Sequence, residues 1–158
     1  ECNTLNLDLH IHYFGGGKAQ FDEIDVCVHN HGFVSREELI TTIGQWDLAL
    51  LPYPALGKFR KASQYSFPSK SRVYVAAGLP IFAYAQPDSS PHVFFETAYK
   101  MYYHNLFLNR DIRAFILAAH NRSDAENEMR FRTAREVVRA NFSKEIELDL
   151  LHQILLNS

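Results

Sequence analysis

The stretch "WDLALLPYP", residues 46–54, is a nearly unbroken apolar run that ends in prolines. A strand with one wet face alternates apolar and polar residues, whereas a continuous run reads as a strand of a parallel sheet, buried on both faces. Parallel strands need crossover connections, usually helical. The flanking sequence supplies them. Upstream, "IDVCVHNHGFV" (24–34) reads as a second apolar strand, and Ser35 followed by Glu38 is a capping-box signature for a helix running through Gln45. Downstream, a helix is expected to start near Pro68 or Ser69, because proline suits the first helical position, and to stop at Gly78. "PIFAYA" (80–85) then forms the next strand.

Before these elements, "LNLDLHIHYF" (5–14) alternates into a "GGG" at 15–17, a strand entering a loop whose glycines permit backbone angles that other residues avoid. Between Pro54 and the helix near Ser69 lies a loop of roughly sixteen residues, long enough to suggest function over mere connection. Beyond Pro91, "HVFFETAY" reads as helix, "KMYYHNLFL" as strand or loop, and "RDIRAFILAAHN" as helix. Two last helices are expected at 123–140 and 143–156, the second capped by Ser143. Strands alternating with helices imply a Rossmann-like, doubly wound parallel sheet in a single α/β domain. Its ligands are expected outside the carboxyl ends of the strands, where the glycine turn, "HNHG" and the long loop lie.

Composition narrows the function. The 158 residues suit one globular domain, and 16 basic against 18 acidic residues, a formal charge of −2, give no electrostatic hold on nucleic acid or anionic membrane. Two cysteines are too few for a disulfide framework, and the apolar company of Cys27 reads as a reduced, buried thiol in a cytoplasmic protein. No transmembrane run of about eighteen apolar residues occurs. The chain begins with Glu1, so it is expected to be a piece of a longer polypeptide, any membrane association being supplied by regions outside it. Neither cysteine lies at a helix start beside a basic partner, and no Gly-x-Ser-x-Gly elbow, Walker loop or complete Gly-x-Gly-x-x-Gly fingerprint is present.

The combination "HGFVSREEL", "DLALLPYP", "FPSKSRVYVAAGLPI" and the closing "FSKEIELDLL", together with the strand into a Gly-rich turn, resembles the C-terminal, donor-binding domain of retaining GT-B glycosyltransferases of the "group 1" type. The resemblance implies the C-terminal half of a GT-B fold, facing an N-terminal acceptor domain that this chain lacks. It implies transfer of a hexosyl group from a nucleotide-sugar to a hydroxyl acceptor once the enzyme is complete, with no cofactor and no metal. The nucleotide base would lie near Asn30, His31, Gly32, Phe33 and Val34, the sugar near Tyr65, Ser66 and Phe67, and the phosphates near Ser69 and Lys70, with Gly15 and Gly16 shaping the opposite wall. The family brackets this helix start with two glutamates, the first on the donor sugar and the second on the ribose. Here Tyr65 and Val73 stand at those positions. A valine accepts no hydrogen bond, which keeps open a second class of function: a non-catalytic interaction module derived from a glycosyltransferase. A half-enzyme completed by a separate acceptor subunit is a third. No residue of the chain is singled out as catalytic.

Other clusters are read from their spacing. "HIH" (10–12) and "HNH" (29–31) each put two histidines on one face of a strand, the spacing of a four-imidazole metal site. No carboxylate shares the pattern, and the expectation is polar strand-end histidines that do not converge and hold no metal. Lys58, Arg60 and Lys61 read as a solvated basic run, or as cations at a cleft mouth that steer an anionic ligand. "VFFETAYKMYY" reads as core packing.

Overall fold

A computed structural model describes residues 8–15, 27–53, 60–109 and 111–143. Gly16, Lys58 and the helix expected over 143–156 lie outside the described residues, apart from Ser143 itself. The chain divides into two compact units, Glu1–Leu39 and Ile40–Ser158, each an assembly in its own right. Both are built on parallel strand pairing, so the protein is α/β.

In the first unit, β1 (His10–Tyr13) and β2 (Cys27–Asn30) form a two-stranded parallel sheet in which His10 faces Cys27 and His12 faces His29. The strands leave the sheet as the glycines allow. Gly15 donates its amide to the Gly32 carbonyl at 2.7 Å. Asn30 Oδ1 accepts from the Gly32 amide at 2.8 Å, and Gly32 adopts φ +67°, an Asx-type turn that favours glycine. Ser35 then caps α1 (Arg36–Ile43) as expected, its Oγ accepting from the Glu38 amide at 3.1 Å.

In the second unit, β3 (Ala49–Pro52), β4 (Ile81–Tyr84) and β5 (Tyr103–Asn105) form a three-stranded parallel sheet with β4 in the middle. The β3–β4 crossover carries α2 (Arg60–Tyr65) and α3 (Ser69–Ala76); the β4–β5 crossover carries α4 (Ser90–Ala98) and a tight turn at Lys100–Tyr102. Two helices follow, α5 (Arg113–His120) and α6 (Asp124–Phe142). Leu51, Ile81 and Ala83 pack into one core with Val75 of α3, Phe95 of α4 and Ala134 and Val137 of α6. Phe115 of α5 stacks on Phe82 and His104, which occupy the other face of the sheet. The expectation that β3 is buried on both faces fails at Leu50, which is 47% exposed. Phe115 covers the two strands beyond it and leaves this flanking strand open.

Two further differences from the sequence reading bear on the site. The loop after β3 is partly helical. α2 carries no apolar spacing and is held by polar contacts: Gln64 Nε2 donates to Asp88 Oδ2 at 2.6 Å, and Arg60 reaches the same carboxylate at 3.5 Å. The segment "KMYYHNLFL" (100–108), read as strand or loop, resolves into a tight turn, β5 and a turn, with Asn105 completing the sheet edge through its side chain. Asn105 is buried. Its Nδ2 donates to the Ala85 carbonyl at 2.9 Å, while Oδ1 accepts from the amides of Ala85 (3.2 Å) and Phe107 (3.0 Å). The second Nδ2 hydrogen faces His92 Nδ1 at 3.1 Å, where Tyr103 Oη also lies at 3.1 Å. With the amide donating, Nδ1 is the acceptor and the His92 proton sits on Nε2.

The carboxyl end of α3 follows the sequence. Gly78 takes φ +69°, the Leu79 amide bonds the Tyr74 carbonyl and the Gly78 amide bonds the Val75 carbonyl, the paired bonds of a Schellman stop. A Cβ at Gly78 would lie 2.7 Å from Phe131 of α6. Gly78→Ala is expected to lower unfolding stability by about 1–2 kcal/mol from the left-handed backbone alone, measured as a fall in the urea midpoint. An unchanged midpoint would show that the stop is not held by this glycine.

Candidate functional site

The residues expected at the site fall into a group on each unit. On the second unit the group surrounds the start of α3. Pro68 occupies the N-cap position, and its side chain makes no capping hydrogen bond. Proline cannot cap with its side chain, because its ring carries no acceptor; the Pro68 carbonyl accepts from the Ser71 amide at 2.9 Å, and the Ser69 and Lys70 amides stand at the positive end of the helix dipole, where an anion is favoured. Ser69 and Lys70 are exposed at this start, and Lys70 makes no ion pair among the described residues. Ser71 is fully buried, and its Oγ has no hydrogen-bond partner among the described residues. The next cation, Arg72, is engaged elsewhere: its guanidinium lies 5.3 Å from the Phe142 ring centre.

The segment leading into α3 is tightly held. The Ser66 carbonyl accepts from Tyr53 Oη at 2.7 Å and from Ser90 Oγ at 2.6 Å, and the Ser66 amide donates to the Ala62 carbonyl at 2.9 Å. Phe67 turns into an aromatic cluster with Phe94, Phe95 and Phe142 at ring separations of 5.0, 5.9 and 5.8 Å. Tyr65 stands out at 85% exposure, while Val73, one turn into α3, is half-buried. Of the basic run, Arg60 is paired with Asp88 and Lys61 is exposed. The aromatics of 93–103 divide as expected for core, with Phe95, Tyr99, Tyr102 and Tyr103 buried.

On the first unit, Gly15, Asn30 and Gly32 form the linked turn described above, Phe33 projects at 86% exposure and Val34 is half-buried. The four histidines, expected to stand apart, converge. His10 Nδ1 lies 2.8 Å from His29 Nε2, and His12 Nδ1 lies 2.9 Å from His31 Nε2. The rings interleave across the strands in the order His10, His29, His12, His31, with centroid steps of 5.1, 4.4 and 5.2 Å, and Phe14 continues the stack at 4.9 Å. Partial burial, followed by the charges that His29, His31 and His10 would carry, holds His12 below the usual imidazole range, so it favours the neutral form. Cys27, expected to be buried, is exposed at the head of this stack, because its side of β2 is the histidine side.

Sequence reasoning passed over Arg130, a buried arginine on α6. Its guanidinium lies 4.7 Å from the Phe131 ring centre, and its Nε and Nη1 are buried without hydrogen-bond partners among the described residues. Burial first, then nearby Arg122, pulls its pKa below the usual arginine value. The signal that could have found it is its spacing: Arg130 stands four residues before Ala134 and seven before Val137, on the buried face of α6, while Arg132 and Arg135 lie off that face and are exposed.

No family model matches the chain, and no curated protein matches it. No helix among the described residues is long and apolar enough to cross a membrane.

The buried, unpartnered hydroxyl at Ser71 gives a test with two readouts. A buried hydroxyl without a partner costs roughly 1–3 kcal/mol by protein mutational data, so Ser71→Ala is expected to stabilise the ligand-free chain by about 1 kcal/mol in urea titration. Weaker binding of inorganic pyrophosphate by the same variant would assign the hydroxyl to an anion at the α3 start. Destabilisation by the substitution would instead show that Ser71 is satisfied in the native state.

Proposed function

We propose that the chain is the Rossmann-like, doubly wound donor-binding half of a retaining GT-B glycosyltransferase, which binds a nucleotide-sugar and acts with an acceptor domain to move a hexosyl group onto a hydroxyl. The observation that carries this reading is the start of α3: an N-cap without a capping side chain and an exposed Lys70 with no ion pair among the described residues, set in the motif "FPSKSRVYVAAGLPI" that resembles the family. In such a transfer the bond from the anomeric carbon to the diphosphate breaks, and the diphosphate departs with the bonding electrons. Amides at a helix start and a nearby ammonium stabilise the charge that develops there. Lys70 and the first turn of α3 have the right chemistry for that task. Tyr65, exposed just before α3, is the candidate for contact with the sugar.

The half-buried Val73 favours a second reading. A carboxylate at this position would accept from ribose hydroxyls; valine offers nothing to them. A chain that keeps the fold but has lost nucleotide affinity would be a non-catalytic interaction module.

Calorimetric titration of several nucleoside diphosphates and nucleotide-sugars separates the two. The donor-domain reading expects weak binding by the wild type, and tightening of about 1–3 kcal/mol in Val73→Glu as charged hydrogen bonds to the ribose form. It expects weaker binding in Lys70→Ala, the difference shrinking as salt screens an exposed ammonium. Silence from the wild type and Val73→Glu, repeated with an acceptor domain joined to the chain and with folding verified, would overturn the donor-domain reading and favour the interaction module.

A further inference from the structure

We propose that His10, Cys27 and His29 form a binding site for one divalent transition-metal ion of zinc-like character, which ties β1 to β2. The reading is independent of the donor site and assigns the ion no part in sugar transfer.

Strand parity puts Cys27, His29 and His31 on one face of β2 and His10, His12 and Phe14 on one face of β1. Because His10 is paired with Cys27 and leans toward His29, the thiol and two imidazoles meet at the head of the ring stack. Among the described residues these three offer donor atoms that all lie within 4.8 Å of one another. Tetrahedral zinc, with bonds of about 2.0–2.1 Å to nitrogen and 2.3 Å to sulfur, sets its donors roughly 3.3–3.6 Å apart. The 2.8 Å separation of His10 Nδ1 and His29 Nε2 must therefore open by about half an ångström, and the sulfur must draw in. Rotation of side chains at a surface allows both.

The proton inventory of the pair suits exchange for a metal. Two ring nitrogens 2.8 Å apart share one hydrogen: one donates it and the other presents a lone pair. An ion between them takes both lone pairs, and the displaced hydrogen moves to the other nitrogen of His29, which binds as a neutral imidazole, while Cys27 binds as thiolate after releasing its own proton to solvent. On the far side of His10, Nε2 lies 3.2 Å from Asp8 Oδ2. A carboxylate on the second ring nitrogen fixes the tautomer of a metal-bound histidine and aims its lone pair at the ion. Two imidazoles and a thiolate select zinc, cobalt or nickel over magnesium and calcium, which prefer oxygen. The fourth position falls to water. A two-stranded sheet is marginal in water by itself, and an ion bound only by the native pairing holds the strands in register by mass action.

The chain, stripped with chelator and titrated with zinc alone or cobalt alone, tests this. The expected result is one ion per chain, a thiolate-to-cobalt charge-transfer band, and a midpoint of thermal unfolding that rises with zinc concentration. Cys27→Ser should remove the band, His29→Ala should weaken zinc binding at least tenfold, and Asp8→Asn should weaken it by about tenfold or more. Circular dichroism of the metal-free variants, matching the metal-free wild type, ties these losses to lost ligands and not to unfolding. Failure to bind zinc or cobalt stoichiometrically would overturn the proposal, as would a cobalt spectrum without a thiolate band. So would a site that survives Cys27→Ser but is abolished by His12→Asn.

Discussion

The amide of Asn105 holds together the end of the sheet from which the second unit is organised. Its carboxamide meets both backbone groups of Ala85, so the side chain extends the β4–β5 ladder where the backbone of β5 turns away. Each of these groups is buried, and a buried polar group left without a partner costs about 1–3 kcal/mol. The amide therefore fixes where β4 ends. Through His92 it also fixes the first turn of α4. Between those points lies Asp88, which anchors Arg60 and Gln64 of α2. The chain then enters α3 through Ser66, whose carbonyl is held by Ser90 of α4. The position of the α3 start thus depends, contact by contact, on one buried amide about 35 residues further along the chain.

What the sequence made legible is local. Apolar runs, the Ser35 cap and Gly78 are signals within a few residues of the elements they control, and β3, β4, α1 and α3 stand where those signals put them. α2 was not legible, because "RKASQY" has no apolar face and its docking site, Asp88, is distant in sequence. The same holds for Asn105, a polar residue in a strand that makes sense only beside Ala85. Convergence of the histidines depends on the register between strands whose interacting rings are 19 residues apart, and no spacing within either strand encodes it. The site was legible as a helix start. The burial of Phe67 and Ser71 around it was not.

The cations near α3 divide according to what surrounds them. Arg72 lies against the Phe142 ring and Arg60 is drawn to Asp88. Lys70 is exposed and makes no ion pair among the described residues, at the point where the helix dipole is positive and no capping side chain offsets it. Packing that occupies the neighbouring guanidiniums leaves the Lys70 ammonium as the exposed charge on the first turn of α3. An ammonium acts as a mobile point charge without the rigid fork of a guanidinium, which suits a partner that is anionic and varied in shape.

The doubly accepted carbonyl of Ser66 has a thermodynamic consequence. With Tyr53 and Ser90 on its oxygen and Ala62 on its amide, the peptide before α3 has little freedom left. Fixing a residue's backbone costs roughly 1–2 kcal/mol of conformational entropy, and here that loss is incurred when the protein folds. An anion bound at the helix start, as proposed above, would meet a backbone already ordered. Association at such a preorganised turn forfeits less of its interaction energy to ordering.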